Sequence, residues 1–167
     1  MAGEMRRGKP NILQKLLHQI VSIRPVNAFF STRMHRMDFF LLKLTGGKYT
    51  FAELAGWPII QITTTGAKSG QKRTMPLIAS MDGKKIILIA SSFGREHNPG
   101  WYYNLKAHPE CEVEYKGKTL VYAAREVDGA EYEKYWQLAV SIYAGYERYK
   151  KFASHRHIPV MLLEPKE

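Results

Sequence analysis

The residues best suited to chemistry form a short turn rich in hydroxyl groups and cations, at positions 63–73. Its sequence is Thr-Thr-Thr-Gly-Ala-Lys-Ser-Gly-Gln-Lys-Arg, and the runs on either side are typical of β-strands. Backbone N–H groups in such a turn can converge on one point together with two or three cationic side chains, which suits a phosphate or a carboxylate. The turn therefore predicts an anion site, although exposed hairpins also carry Gly, Ser and Lys for turn geometry alone.

The two glycines of this turn do not form a Walker A phosphate loop. That motif has four residues between its glycines and continues into Gly-Lys-Ser/Thr and a helix. Here three residues separate Gly66 from Gly70, and the following residues 74–78 predict a strand. The anion site is therefore expected on a strand-turn-strand unit.

Length and composition indicate one sizeable core and a reducing compartment. The chain has 167 residues, of which 45% are hydrophobic, and a single cysteine. A single cysteine excludes an intramolecular disulfide, and Cys111 is expected to be a buried or half-buried apolar strand residue. The six histidines include one close pair without a cysteine or carboxylate at metal spacing, so no metal site is predicted.

The net charge of +10 is concentrated in the N-terminal part of the chain. Residues 1–48 hold nine Lys or Arg against two acidic residues. Within them, residues 10–24 carry apolar pairs at helical spacing and predict an amphipathic helix that Pro25 ends. This helix either lies on an anionic membrane surface or packs on the protein's own core. Residues 29–44 are too interrupted by charges to span a bilayer.

These features divide the chain into a basic helical arm, residues 1–45, and a main domain, residues 46–167. No secretory signal is evident, so a cytoplasmic protein is expected, with a peripheral position at the inner face of the cell membrane if the helix binds lipid.

The main domain predicts short strands separated by turns. The first three are expected to form an antiparallel meander, Asp82-Gly83 and Lys116-Gly117-Lys118 mark hairpins, and Asn98 is expected to cap a short helix that Pro109 ends. A long helix is predicted from Asp128 toward Phe152. The fold class is α+β, mainly β, a small barrel of about six antiparallel strands with flanking helices. The predicted strands are residues 58–63, 74–81, 85–92, 112–115, 120–127 and 160–164.

Three ordered blocks resemble the deazaflavin-dependent nitroreductase and quinone reductase family of actinobacteria. The blocks are residues 64–73 leading into Pro76-Leu77, residues 90–94 and residues 98–105. The likeness extends from about residue 45 to the C-terminus. It implies a split β-barrel that binds the 8-hydroxy-5-deazaflavin coenzyme F420.

The resemblance also implies a set of coenzyme-binding residues. The family commonly has Arg where this chain has Ala67, and Lys72 is a candidate substitute for that cation. The alternative for Trp101 is a core aromatic, and for Ser91 and Ser92 ordinary strand-end residues. The implied contacts are Ala67, Lys68, Ser69 and Arg73 with the phosphate and oligoglutamate tail, Ile89, Ala90, Ser91 and Ser92 with the ring, and Gly100, Trp101, Tyr102, Tyr103 and Asn104 closing the site.

Three tyrosines spaced three residues apart, Tyr143, Tyr146 and Tyr149, form a second group. The resemblance places them at the acceptor side of the deazaflavin, with Tyr146 also near the coenzyme; the alternative is an aromatic core stripe. Ser91 or Tyr146 could bond the acceptor or relay a proton. An unperturbed tyrosine, with a pKa of about 10, is a poor acid at neutral pH, so orientation is the favoured role.

The leading hypothesis is an oxidoreductase that transfers a hydride from reduced F420 to a quinone of the menaquinone type or to a nitroaromatic. One alternative is a split-barrel oxidoreductase that binds FMN. The other is a non-enzymatic binder of anionic lipid or nucleic acid, motivated by the pI of about 9.7. Nucleic acid is disfavoured because no platform of aromatic and basic residues is evident. The oligomeric state stays open.

Overall fold

The computed structural model describes residues 57–166. The predicted amphipathic helix at residues 10–24 and the predicted boundary between residues 45 and 46 lie outside this part of the chain, and both stay predictions.

Seven strands form one curled, antiparallel half-barrel sheet in the order β2-β1-β5-β6-β7-β4-β3. Within residues 57–166 three helices flank it, so the predicted mainly-β α+β split barrel is confirmed. The strands are β1 (Ile59–Thr65), β2 (Lys72–Ile78), β3 (Ser80–Asp82), β4 (Lys85–Ile89), β5 (Glu110–Tyr115), β6 (Lys118–Val127) and β7 (Val160–Pro165).

The predicted hairpins are confirmed, but the predicted antiparallel meander of the first three strands is wrong. β1 pairs with β2, β3 with β4 and β5 with β6, whereas β4 takes β7 as its other neighbour. The predicted strand at residues 74–81 is two strands, because the chain breaks at Ala79, whose N–H donates to Pro58 O at 2.9 Å. This break sends β2 and β3 to opposite edges of the sheet.

One predicted helix is likewise two helices in the structure. They are α1 (Gly100–Ala107), α2 (Gly129–Ile142) and α3 (Gly145–Phe152), with a 3₁₀ turn at Ser92–Gly94. The single long helix was wrong: α2 ends at Ile142, Tyr143 is extended, and α3 starts at Gly145. A Cβ at Gly145 would overlap the ring and hydroxyl of Tyr143, so the break lets the tyrosine fold back over a glycine.

The hydrophobic core holds α1 in place on the sheet. Ile60 and Ile62 are buried while Gln61 between them is exposed, as the period of two in a strand requires. Trp101 and Leu105 of α1 belong to the same hydrophobic cluster as these strand residues. The helix that carries candidate site residues is thereby fixed on the barrel.

Cys111 is buried on β5, as predicted. Burial raises the pKa of its thiol to about 12, so it is not a nucleophile at neutral pH.

None of the helices within residues 57–166 is both long and apolar enough to cross a bilayer.

Candidate functional site

The turn between β1 and β2 is held in a defined shape by its own backbone. The N–H of Gly66 donates to Gln71 O at 2.8 Å, and the N–H of Gly70 donates to Gly66 O at 2.8 Å. Gly70 has a φ of +65°, a conformation that glycine adopts without steric cost. Within residues 57–166 the N–H groups of Lys68 and Ser69 have no hydrogen-bond partner.

Two side chains of this turn converge over Gly66. A Cβ at that position would lie 2.6 Å from Ser69 Oγ and 3.3 Å from Arg73 Nε. The hydroxyl and the guanidinium therefore face one point above a residue that has no side chain. With the N–H groups of Lys68 and Ser69 unused nearby, the turn has donors of the kinds that bind phosphate and carboxylate.

Asn104 ties this turn to α1. Its Oδ1 accepts from the N–H of Ala67 at 3.0 Å, and its Nδ2 donates to Thr64 Oγ1 at 3.0 Å. Both Asn104 and Thr64 are buried. The amide of Asn104 therefore has a structural role, because it fixes α1 and the turn between β1 and β2 relative to each other.

The cations of the turn are not equivalent. Lys72 Nζ lies 3.1 Å from Glu112 Oε1, so its charge is already partly offset. Lys68 and Arg73 are exposed and form no ion pair with the described residues. The two unpaired cations are better placed to bind an anion than Lys72, the candidate substitute for the arginine missing at position 67.

The residues that follow β4 were expected to line the ring. Ile89 and Ala90 are buried, and the N–H of Ala90 donates to Pro159 O at 2.9 Å. Ser91 is 8% exposed, and its hydroxyl has no hydrogen-bond partner among residues 57–166. Ser92 has a φ of 47°, which is uncommon for a residue with a side chain. Ser91 therefore offers a free hydroxyl at the point where the strand turns.

The start of α1 differs from expectation in one respect. Asn98 was wrong as the helix cap, because Pro99 occupies that position. Gly100 is exposed at the first helical position. The side chain of Trp101 lies in the hydrophobic core.

The next two residues of α1 carry hydroxyls toward different surroundings. The Tyr102 hydroxyl donates to Glu126 Oε2 at 3.0 Å, and burial together with this bond raises the pKa of Tyr102 to about 12. Tyr103 is 48% exposed and lies edge-on to Tyr102, with ring centroids 5.2 Å apart. Tyr103 thus presents an aromatic ring at the surface.

Tyr143, Tyr146 and Tyr149 form one compact buried cluster. Their ring centroids lie 5.1 to 6.3 Å apart, and the hydroxyls of Tyr143 and Tyr149 are 2.9 Å apart. Tyr143 reaches the cluster from the break between α2 and α3. The hydroxyl of Tyr146 has no hydrogen-bond partner in the described part of the chain.

Burial sets the acid–base behaviour of this cluster. It raises the pKa of Tyr143 and of Tyr146 above the ordinary tyrosine value. Their hydroxyls are therefore protonated at neutral pH, suited to donating hydrogen bonds and poorly suited to releasing protons.

Sequence reasoning missed Phe93 and Arg156. Phe93 has a φ of 57°, is 41% exposed and meets the edge of Tyr149 with ring centroids 5.9 Å apart, so it joins the turn after β4 to the tyrosine cluster. Arg156 donates to Ser91 O from 65 positions away. Neither contact has a local pattern in the sequence that could predict it.

These residues fit the chemistry of coenzyme F420. The donors over Gly66, with Lys68 and Arg73, which form no ion pair in the described part of the chain, suit a phosphate and a chain of carboxylates, and a side chain at Gly66 would intrude on them. The unpartnered hydroxyl of Ser91 is of a type that bonds the polar edge of a ring.

Comparisons with known proteins agree with F420 as the coenzyme. A sequence model of the F420H(2)-dependent quinone reductase family matches residues 33–165. An F420H(2)-dependent quinone reductase of Mycobacterium tuberculosis is 37% identical over 110 residues, which cover 64% of this chain and 72% of that protein. The solved structure of an F420-H2 dependent reductase, FDR-A, has a TM-score of 0.60 and 42% identity, covering 64% of this chain and 94% of its own.

A second solved structure, described as a domain-swapped dimer, has a TM-score of 0.61 and 34% identity. The match covers 84% of this chain and 100% of the chain in that structure. The FMN alternative gains no support from the family match, which instead supports F420 as the coenzyme. Because the family sequence model spans most of the chain, this protein is an enzyme that belongs to the F420H(2)-dependent quinone reductase family.

Proposed function

We propose that this enzyme transfers a hydride from reduced F420 to a quinone of the menaquinone type, and that nitroaromatic compounds serve as secondary acceptors. The observation that carries the proposal is the contact between the tyrosine cluster and the turn that follows Ser91. Phe93 in that turn meets Tyr149 edge-on at 5.9 Å. A surface of buried aromatic rings, with the Tyr146 hydroxyl available for a hydrogen bond, suits a flat, apolar molecule whose oxygens accept hydrogen bonds.

On the donor side, the turn between β1 and β2 holds the anionic tail. Lys68 and Arg73 supply charge, and the Ser69 hydroxyl and the N–H groups of Lys68 and Ser69 supply directed hydrogen bonds. Ile89, Ala90, Ser91 and Ser92 then border the ring, and residues 100–104 close the site. Arginine and lysine next to several anionic groups contribute affinity that falls with ionic strength.

On the acceptor side, the side chains orient the quinone and exclude water. When bound, reduced F420 supplies a hydride with its two electrons, and with one further proton the quinone becomes a quinol. The hydroxyls of Tyr146 and Ser91 donate hydrogen bonds to the quinone oxygens, which gain negative charge as the hydride arrives. Tyr143 and Tyr149 hold the Tyr146 ring through edge contacts.

The test is anaerobic mixing of enzyme, reduced F420 and a soluble menaquinone analogue, followed by deazaflavin absorbance. We expect acceptor-dependent oxidation, with the quinone KM raised about tenfold in Tyr146→Phe and in Ser91→Ala, since each loses a hydrogen bond. Tyr122→Phe is the matched control, because this buried tyrosine lies on β6 outside the cluster. Equal oxidation rates with and without acceptor would overturn the proposal. A nitroimidazole in place of the quinone tests the secondary activity.

We also propose that residues 10–24 bring the enzyme to the anionic membrane surface where such quinones reside. The support is the basic, amphipathic pattern of that segment. The measurement is flotation with phosphatidylglycerol vesicles, with phosphatidylcholine vesicles as control. A variant lacking residues 1–25 should stay in the unbound fraction; equal flotation of that variant and the full chain would exclude this role.

A further inference from the structure

Arg156, between α3 and β7, joins three separate parts of the segment that runs from β4 to α1. Its Nη2 donates to Ser91 O at 2.8 Å and its Nε to Arg95 O at 2.9 Å. Its Nη1 donates to Asn98 Oδ1 and also, at 3.1 Å, to the carbonyl of His157 beside it. One side chain therefore bonds both ends of the segment and its middle.

The contacts of Arg156 are unusual for a half-buried cation. Every acceptor is a carbonyl or amide oxygen, and none of the described carboxylates forms an ion pair with it. Burial lowers the pKa of the guanidinium, but arginine keeps its charge in proteins. The guanidinium spreads five donors over three nitrogens and here uses all three, whereas the three donors of a lysine ammonium share one nitrogen and cannot reach acceptors this far apart. The geometry thus specifies arginine rather than any cation.

The segment that Arg156 bonds needs outside support. Ser92 and Phe93 both have positive φ, at 47° and 57°, and such residues persist only when their surroundings hold them. Gly94 packs tightly against α3, because a Cβ there would lie 2.7 Å from Phe152 Cβ. The strained turn is therefore pressed against the helix that carries Tyr146 and Tyr149.

We infer that Arg156 is a positioning residue for hydride transfer. By fixing the carbonyl of Ser91 and the side chain of Asn98 just before α1, it sets the Ser91 hydroxyl in relation to the Tyr146 hydroxyl, so that ring and acceptor meet in one geometry. This inference rests on the proposed function. Because the anionic tail is held by the turn over Gly66, loss of Arg156 should impair turnover more than coenzyme affinity.

The experiment compares Arg156→Ala and Arg156→Lys with the full-length wild type. Both variants should lower kcat by about tenfold or more and leave the Kd of F420, from fluorescence titration, within about threefold. Millimolar guanidinium should restore several-fold of the lost kcat in Arg156→Ala and have no effect on Arg156→Lys. Arg125→Ala is the matched control, because this exposed arginine bonds Glu131 and Glu164 at the surface; its kcat should be unchanged.

Hydrogen exchange separates failure of this inference from failure of the proposed function, because it requires no acceptor. Amides of residues 91–98 should exchange faster in Arg156→Ala than in the wild type, while β1 and β5 amides are unchanged. Unchanged exchange and unchanged kcat in both variants would overturn the positioning role even if the wild type reduces the quinone. A uniform rise in exchange across the sheet, with no guanidinium rescue, would also overturn it and assign Arg156 to stability alone.

Discussion

The side-chain oxygen of Asn104 accepts a hydrogen bond from the backbone N–H of Ala67 at 3.0 Å, and this bond joins α1 to the turn over Gly66. The same amide donates to the buried hydroxyl of Thr64. The N–H of Ala67 is thereby occupied, while those of Lys68 and Ser69 stay available for a ligand. The position of α1 on the barrel core thus sets the direction of the turn.

Replacing Asn104 with alanine should weaken the connection between α1 and the turn between β1 and β2. The substitution leaves the buried Thr64 hydroxyl and the partly exposed Ala67 N–H without their partner, and a buried polar group left unpaired costs about 1–3 kcal/mol. We expect the free energy of unfolding to fall by about 2–4 kcal/mol in chemical denaturation, and the affinity for F420 to fall with it.

Lys106→Ala is the control for Asn104→Ala, because Lys106 lies on the same helix and its ion pair with Glu126 is half exposed. Exposed pairs contribute about 0–1 kcal/mol. If Asn104→Ala kept wild-type stability and F420 affinity, the hydrogen bonds of Asn104 would contribute to neither.

The three cations after Gly66 should contribute unequally to F420 affinity. Lys68→Ala and Arg73→Ala each remove a positive charge that has no ion-pair partner among residues 57–166, so we expect the Kd of F420 to rise about tenfold at low salt. Lys72→Ala removes a charge that Glu112 already offsets at 3.1 Å, so a smaller rise, below about threefold, is expected. Fluorescence titration at two ionic strengths measures both effects.

A deazaflavin without the phosphate and glutamate tail is the control ligand for these variants. Its affinity should change little in Lys68→Ala or Arg73→Ala, because the charges act on the tail. Equal losses for the tailed and tail-free ligands would show that the turn supports the fold rather than binding the anion.

Local patterns in the sequence predicted much of the fold. The alternation of Ile60, Gln61 and Ile62 gives β1, and the Lys116-Gly117 turn gives the β5–β6 hairpin, since both residues adopt positive φ there. These features depend on neighbours a few residues apart, so one sequence suffices to see them.

Features that depend on distant residues could not be predicted. The break at Ala79 comes from a bond to Pro58, and the break before Gly145 comes from the ring of Tyr143 filling the space over a glycine. In the same way, the composition of the turn predicted an anion site, but the pairing of Lys72 with Glu112 depends on residues 40 positions apart. The periodicity of apolar residues along the sequence does not indicate such contacts.

Gly145→Ala tests whether the break between α2 and α3 positions the tyrosine cluster. An added Cβ would overlap the Tyr143 ring, so the ring must move and its hydroxyl contact with Tyr149 is lost. Alanine favours a helix by about 1 kcal/mol over glycine; overpacking typically costs about 1–3 kcal/mol. We expect lower stability and a raised quinone KM, measured by thermal unfolding and steady-state kinetics.

The control for Gly145→Ala is Gly145→Ala combined with Tyr143→Ala, which removes the ring that the methyl group would meet. Gly145→Ala should cost less stability when added to Tyr143→Ala than when added to the wild type, because the ring it would overlap is gone; the quinone KM stays high. Additive losses in the double variant would contradict the overlap.

The burial of Tyr146 should make stability depend on alkaline pH. Its pKa is raised above 10.0 in the folded protein, whereas in the unfolded chain it titrates near 10.0. The folded state therefore binds more protons above about pH 10, and the free energy of unfolding falls as pH rises, by up to about 1.4 kcal/mol per pH unit for one group. Tyr146→Phe removes this contribution, so its stability should decline less between pH 9 and about 11. Chemical denaturation at several pH values measures the two slopes, and parallel curves for the wild type and Tyr146→Phe would contradict the burial of this hydroxyl.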